Sequence, residues 1–222
     1  MATRRIPIFP LHTVLFPGMR LPLHVFEPRY QEMVRYCREE DRQFGVSLIR
    51  SGAEVGGPAE PHAIGTTCEI LSATPVGEGR LYLSTVGREP FRIVRLIRER
   101  AYLEAEVEIL PPPTPGELGD LPGRVSTAAS RYIRGLLVQH GQPDSSFELP
   151  ADPRELSELV GAVLQSPLSV RQELLEIQEV SARLRRELEV LTAELKNANE
   201  PPGGRAEAAR PFQPRRETMN PN

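Results

Sequence analysis

A chain of 222 residues with 39% hydrophobic content can bury one sizeable core or two modest ones, and its formal net charge of −3 gives no global attraction to nucleic acid or an anionic membrane. Lys196 is the one lysine among 27 basic residues, which excludes a P-loop, where a Gly-Lys-Ser/Thr turn brings an ammonium to the phosphates. No apolar run is long enough to span a bilayer and no signal-peptide core follows the first five residues, so a soluble cytoplasmic protein is expected.

Between Ile6 and Tyr30, five prolines and one glycine punctuate short apolar runs. Proline fixes φ and removes a ladder donor, so Pro7, Pro10, Pro17 and Pro22 predict short edge strands joined by bends, with a tight turn at Phe16-Pro17-Gly18. Pro28, after Glu27, suits the first turn of a helix running to Asp41, whose inner face carries Tyr30, Met33, Val34 and Cys37 at i, i+3, i+4 and i+7. Cys37 and Cys68 form no Cys-x-x-Cys pair and have no histidine cluster beside them, so both are read as buried thiols.

Phe44 to Ile49 reads as a buried strand, and 51–63 as a loop rich in glycine and proline. Strands are expected over 65–76, 81–86 and 91–99, separated by turns at Gly77-Glu-Gly79 and Gly87-Arg-Glu-Pro90, and pairing as an antiparallel meander. In the next strand Leu103, Ala105, Val107 and Ile109 alternate with Glu104, Glu106 and Glu108, predicting one buried face and one solvated acidic face.

The run Pro111-Pro-Pro-Thr-Pro115 is a stiff spacer, after which the apolar period changes from two to about 3.6. A first helix carries Val125, Ala129, Tyr132, Ile133, Leu136 and Leu137 and ends near His140-Gly141. A second opens at Asp152-Pro153, an N-cap followed by an N1 proline, and stops at Ser166-Pro167. A third, long helix is read from a Ser169 cap through Leu195, with Arg183 and Glu187 among the charged pairs assigned to its solvent side. From 198 to 222 periodicity is lost and a disordered tail is expected.

The ordered series Pro7-Ile8-Phe9-Pro10-Leu11, Val14-Leu15-Phe16-Pro17-Gly18, Leu21-Pro22-Leu23 and Phe26-Glu27-Pro28-Arg29-Tyr30 resembles the opening of the Lon protease N-terminal domain, the substrate-recognition part of that family. The resemblance continues through Gly65-Thr66, Thr85 to Ile93, Tyr102 to Val107, and Ser166 to Glu176, and so spans roughly residues 5 to 196. Where the family has Arg-Phe-Arg this chain has Pro90-Phe91-Arg92. The resemblance implies an α+β fold: a PUA-like, partly closed β-barrel over 5–113, then a small helical bundle over 114–197.

The ATPase and peptidase modules of that family have no counterpart here. The Lon reaction resembles serine–lysine chemistry, which needs a buried lysine of lowered pKa, and Lys196 lies at a helix end beside a polar tail. No HExxH, GxSxG or Cys-His arrangement offers other hydrolytic chemistry, and His12, His24, His62 and His140 show no metal-ligand spacing. No catalytic residue, metal or cofactor is assigned.

The implied function is therefore non-catalytic binding of exposed apolar segments of client polypeptides, or regulation of a protease or chaperone partner. Phe16, Pro17, Leu23 and Phe26 are the candidate groove contacts, with Arg29 and Arg88 as polar partners at the rim. The alternatives are an RNA-binding module, carried by Arg88, Arg92, Arg95, Arg98 and Arg100, and a scaffold docking through the long helix. The sequence sets no oligomeric state.

Overall fold

The computed structural model describes residues 3–40, 43–77 and 79–199. The prolines of the opening segment are accommodated by a strand that changes partner. β1 (Arg4–Leu11) pairs antiparallel with β7 (Leu103–Ile109) through Arg4 to Ile8, then parallel with β3 (Phe44–Gly52) through Ile8 to Leu11. Each half of β1 is thus bonded on one side, so Pro7 and Pro10 forfeit no ladder bond on the other. β1 is longer and better paired than the short edge strands read from its prolines.

β5 (Ile64–Pro75), β6 (Leu81–Ile97) and β7 form an antiparallel meander in which the expected strands 81–86 and 91–99 are one, and β5 pairs back to β3, so β1, β7, β6, β5 and β3 close a five-strand circuit. The circuit is not a regular barrel: β2 (Arg20–Val25) hangs on β6, the short β4 (Ala59–Pro61) hangs on β3, and bulges interrupt β5 and β6. β4 lies inside the segment read as loop. Phe91 fills the interior against Ile8, Ala105 and Val107, and a Cβ at Gly45 or Gly65 would stand 2.7 Å from its ring. α1 (Pro28–Glu39) covers one side through Tyr30, Met33, Val34 and Cys37, in the face read from the sequence.

β6 runs unbroken through the expected Gly87-to-Pro90 turn because that stretch has partners on both sides. Gly87 donates to the Met19 carbonyl at 3.0 Å and accepts from Gly18 at 2.9 Å, while Pro90 accepts from Leu110 at 2.9 Å. A Cβ at Gly87 would strike the Phe16 carbonyl, so the Phe16-Pro17-Gly18 turn rests directly on the strand. On β7 the alternation holds, with one departure. Glu104 is 2% exposed rather than solvated, its carboxylate held by Arg5 at 2.6 Å and Arg100 at 3.5 Å.

α2 (Leu121–Gln139) ends at His140 and Gly141, the glycine at φ +72°. Asp152 caps α3 (Pro153–Val163), accepting from Arg154 N at 2.9 Å and Glu155 N at 3.0 Å. The long third helix is two helices, α4 (Leu168–Glu176) and α5 (Val180–Asn199). The spacer after β7 breaks them: Thr114 donates to Gln178, and Thr114 and Pro115 accept from Val180 and Ser181, taking over amides at the start of α5. Ser169 is no cap; Gln172, read as its capping partner, is buried and donates to the Ile64 carbonyl at 3.0 Å.

The apolar stripe of α5 packs mainly inward, with Leu184 and Leu191 fully buried in the core of the helices, while Leu188 and Leu195 are partly buried. Arg183 and Glu187, assigned to solvent, are 3% and 0% exposed. Ser157 of α3 links them, donating to Glu187 Oε1 at 2.8 Å and accepting from Arg183 Nε at 2.7 Å. A charged pair at helical spacing can thus belong to a buried network when a neighbouring helix supplies a small polar residue.

The core shared by the helices also contains Val14, Phe16, Leu48, Ile64 and Leu110 from the first part of the chain. Phe16 lies so close to α3 that a Cβ at Gly161 would collide with its ring. The expected tail falls mostly outside the described residues: α5 reaches Asn199 and 200–222 lie beyond.

Two expectations follow from this packing. In an exposed helix Gly→Ala stabilises by about 1 kcal/mol. Gly161→Ala is expected to destabilise instead, by about 1–3 kcal/mol through overpacking, with far-UV CD and tyrosine fluorescence reporting one coincident urea transition for sheet and helices. Burial pushes the Glu187 carboxyl up to about 8, against the opposing pull of Ser157 and Arg183. An unfolded glutamate titrates near about 4.3, so between those values the folded state holds the extra proton and this group's contribution to stability falls as pH rises. Glu187→Gln should remove that slope, so its stability relative to the parent grows from about pH 4.5 to about pH 8 in parallel urea titrations.

Candidate functional site

β2 and the residue that follows it, Phe26, carry the predicted contacts that line a pocket. The register of β2 with β6 runs from Arg20 opposite Val86 to Val25 opposite Leu81. Leu21, Leu23 and Val25 turn toward the core, whereas Arg20, Pro22 and His24 are exposed. The bond from Gly87 N to Met19 O sets the phase of the ladder. Main-chain groups of Leu21, Leu23 and Val25 therefore face β6, and those of Arg20, Pro22 and His24 face away from it. Pro22 lacks its N–H where no partner strand needs it.

On the outer face the His24 ring stacks on Tyr82 of β6 with centroids 4.6 Å apart, and Phe26 lies 5.7 Å from His24. Phe26 is 46% and Tyr82 53% exposed, an aromatic group left open to solvent. Beside them is a pocket of about 220 Å³ whose lining includes Phe9, Leu11, Leu23, Phe26, Tyr30 and Val55. Val55, at 57% exposure, stands on the loop between β3 and β4.

That loop is tied to the start of α1. Arg29 donates from Nη1 to the Gly57 carbonyl at 3.0 Å and from Nε to Glu27 Oε2 at 3.1 Å, and its guanidinium lies 4.5 Å from the Tyr30 ring centre. Glu27 Oε2 also accepts from Gly56 N at 3.2 Å, and Glu54 Oε2 accepts from His12 N at 2.8 Å. Burial raises the pKa of the Tyr30 phenol. The arrangement can hold an apolar side chain, and it presents no nucleophile–base pair.

The predicted contacts divide. Leu23 and Phe26 line the pocket. Phe16 and Pro17 do not: both are buried, Phe16 completely, because the turn lies between β6 and α3. Arg29 is not a free rim cation but the tie that holds the loop. Arg88 bonds Glu69 at 2.6 Å on the sheet and does not line the pocket. The readings that the sequence analysis missed are His24, Tyr82 and Val55. The signal was available for the first two, since each is the outward residue between two apolar inward ones, Leu23/Val25 and Leu81/Leu83.

The basic stretch carries carboxylates: Arg95 pairs with Glu106 at 2.6 Å, Arg100 with Glu104 at 3.5 Å, and Arg98 with Glu60. Four of the five arginines of that stretch, Arg88, Arg95, Arg98 and Arg100, thus already face carboxylates, and Arg92 is exposed. A larger groove of about 880 Å³ lies between 117–124 and α5, with Glu117, Asp120, Arg124, Arg185, Glu189 and Lys196 mixing charges around it; it contains none of the predicted contacts. Among the described residues, no three His, Cys, Asp or Glu side chains are grouped to hold a metal ion, and no helix is long and apolar enough to cross a membrane. Cys37 and Cys68 are buried and not joined in a disulfide, with burial pushing the Cys68 thiol up to about 11.

Comparison with known proteins gives one consistent result. The sequence is 28% identical over 191 residues to Lon protease 2 of Myxococcus xanthus, which covers 84% of this chain and 23% of that protein. It is 26% identical over 188 residues to Lon protease of Syntrophus aciditrophicus, covering 81% and 24%. The chain thus spans about a quarter of the length of the curated relatives it matches. The crystal structure of the Lon N-terminal domain protein from Xanthomonas campestris superposes with a TM-score of 0.67 at 29% identity, covering 84% of this chain and 98% of that one. The N-terminal domain of Mycobacterium avium complex Lon protease shares the fold, with a TM-score of 0.64 at 17% identity over 85% and 98% of the two chains. The profile of the ATP-dependent protease La (LON) substrate-binding domain matches residues 5–193, and the chain belongs to that family.

Proposed function

We propose that this chain captures exposed apolar segments of other polypeptides in the pocket beside β2 and does no chemistry on them. The supporting observation is the solvent-open group of His24, Phe26 and Tyr82 beside an apolar pocket, in a domain whose family is described as substrate-binding. Aromatic side chains supply large contact area at low rotamer cost, which suits recognition of varied apolar sequences. Leu23 and Phe26 carry the contact. Phe16 and Pro17 act through the core, Arg29 by holding the loop wall, and Arg88 lies outside the site. The partners are unfolded or degron-bearing clients in the cytoplasm, delivered to or shielded from a protease or chaperone.

Apolar capture should respond little to salt, whereas phosphate binding would weaken steeply with it. A Phe26→Ser, Tyr82→Ser double variant removes exposed side chains and should change folding stability by no more than about 0.5 kcal/mol per site. Its affinity for a reduced, carboxymethylated protein that cannot fold should fall at least about tenfold, or about 1.4 kcal/mol, as read by fluorescence anisotropy at low and high salt. Unchanged affinity in the folded variant would remove the pocket from the account.

A further inference from the structure

β2 pairs with β6 alone, and its outer edge borders the pocket. The ladder phase leaves the His24 amide and the carbonyls of Pro22 and His24 directed away from β6, toward the space that an added strand would occupy. An occupant that only filled an apolar pocket would leave these groups to water. An extended polypeptide would bond them, with its N–H groups donating to the Pro22 and His24 carbonyls and one carbonyl accepting from His24. Pro22 cannot donate, which keeps the edge from zipping fully onto another sheet and suits short, reversible pairing.

Charge narrows the occupant further. The pocket lining includes two carboxylates, Glu27 and Glu54, and no arginine or lysine. Glu27 is engaged by Arg29 and by the Gly56 amide. Glu54, which lines the pocket and is partly exposed, bonds His12 N and His12 Nδ1 through Oε2, so its Oε1 remains to meet a cation. We infer that the client is held as a strand added to β2, with a large apolar side chain between Tyr30 and Val55 and a lysine or arginine beside it paired to Glu54. Glu54 is then a specificity-determining residue. This rests on the reading that the pocket takes polypeptide.

The test uses the whole chain and four fluorescein-labelled ten-residue peptides of threonine, serine and glycine. The parent contains one phenylalanine flanked by arginine; the others carry Phe→Ser, Arg→Glu, or N-methyl groups on the two residues bracketing the phenylalanine. Anisotropy should show the N-methyl and Phe→Ser peptides weakened about tenfold or more, as expected for lost main-chain bonds and a lost anchor. Arg→Glu should weaken binding about threefold on the parent protein and less on Glu54→Gln. Hydrogen exchange should show the His24 amide protected by the parent peptide. If Phe→Ser weakens binding but N-methylation does not, or His24 stays unprotected, strand addition is overturned while apolar capture stands. If Arg→Glu has the same effect on Glu54→Gln as on the parent protein, the role of Glu54 falls. Binding of a carboxymethylated client but not of the parent peptide overturns the inference alone; failure of both removes the capture reading with it.

Discussion

The rest of the molecule depends on the seating of Phe16 against Gly161. The ring belongs to a turn pinned on β6 by two main-chain bonds at Gly87, and it lies where any side chain on α3 at 161 would have to be. Arg171 of α4 closes the contact from the side, donating to the Val14 carbonyl at 3.1 Å with its guanidinium 6.0 Å from the Phe16 ring centre. Burial lowers the pKa of this arginine, and main-chain carbonyls rather than a carboxylate receive it. Sheet and helices therefore share one core in which Phe16 is the aromatic wedge beside Val14, Leu48, Ile64 and Leu110, and a small residue at 161 is the condition for its seating.

That constraint divides the labour of the N-terminal segment. The half that turns inward, Val14 to Pro17, is consumed by packing, so it cannot also contact a client. The half that follows, β2 and Phe26, lies on a strand bonded on one side, and its outward residues remain open. The loop at 53–57 is held as a wall by Arg29, through its bonds to Glu27 and Gly57, together with the bonds of Gly56 to Glu27 and of His12 to Glu54. Packing and the proposed recognition thus use adjacent residues of one segment, separated by which side of the sheet they face.

Much of this was legible in the sequence where a residue's local chemistry has one outcome. Asp152 before Pro153 caps a helix wherever it stands, the Tyr30/Met33/Val34/Cys37 spacing buries one face of α1, and the alternation through Leu103 to Ile109 sets the inner face of β7. The misses share a different cause, in that a second element decided them. Glu104 is buried because Arg5, from the far end of β1's pairing, reaches it. Arg183 and Glu187 are buried because Ser157 lies between them. The break between α4 and α5 comes from the spacer at Thr114. Phe16 looked like a groove residue because its turn chemistry is that of a surface loop, and only the glycine of α3 shows where the ring goes.

The account's central claim is that the open aromatic group beside β2 receives polypeptide. The most direct measurement is an amide-resolved NMR titration of the whole chain with an unfoldable carboxymethylated protein. The predicted result is shifts concentrated at His24, Phe26, Val55 and Tyr82. Shifts gathered instead at Leu118, Leu188 and Thr192, along the groove between 117–124 and α5, with β2 silent, would contradict it.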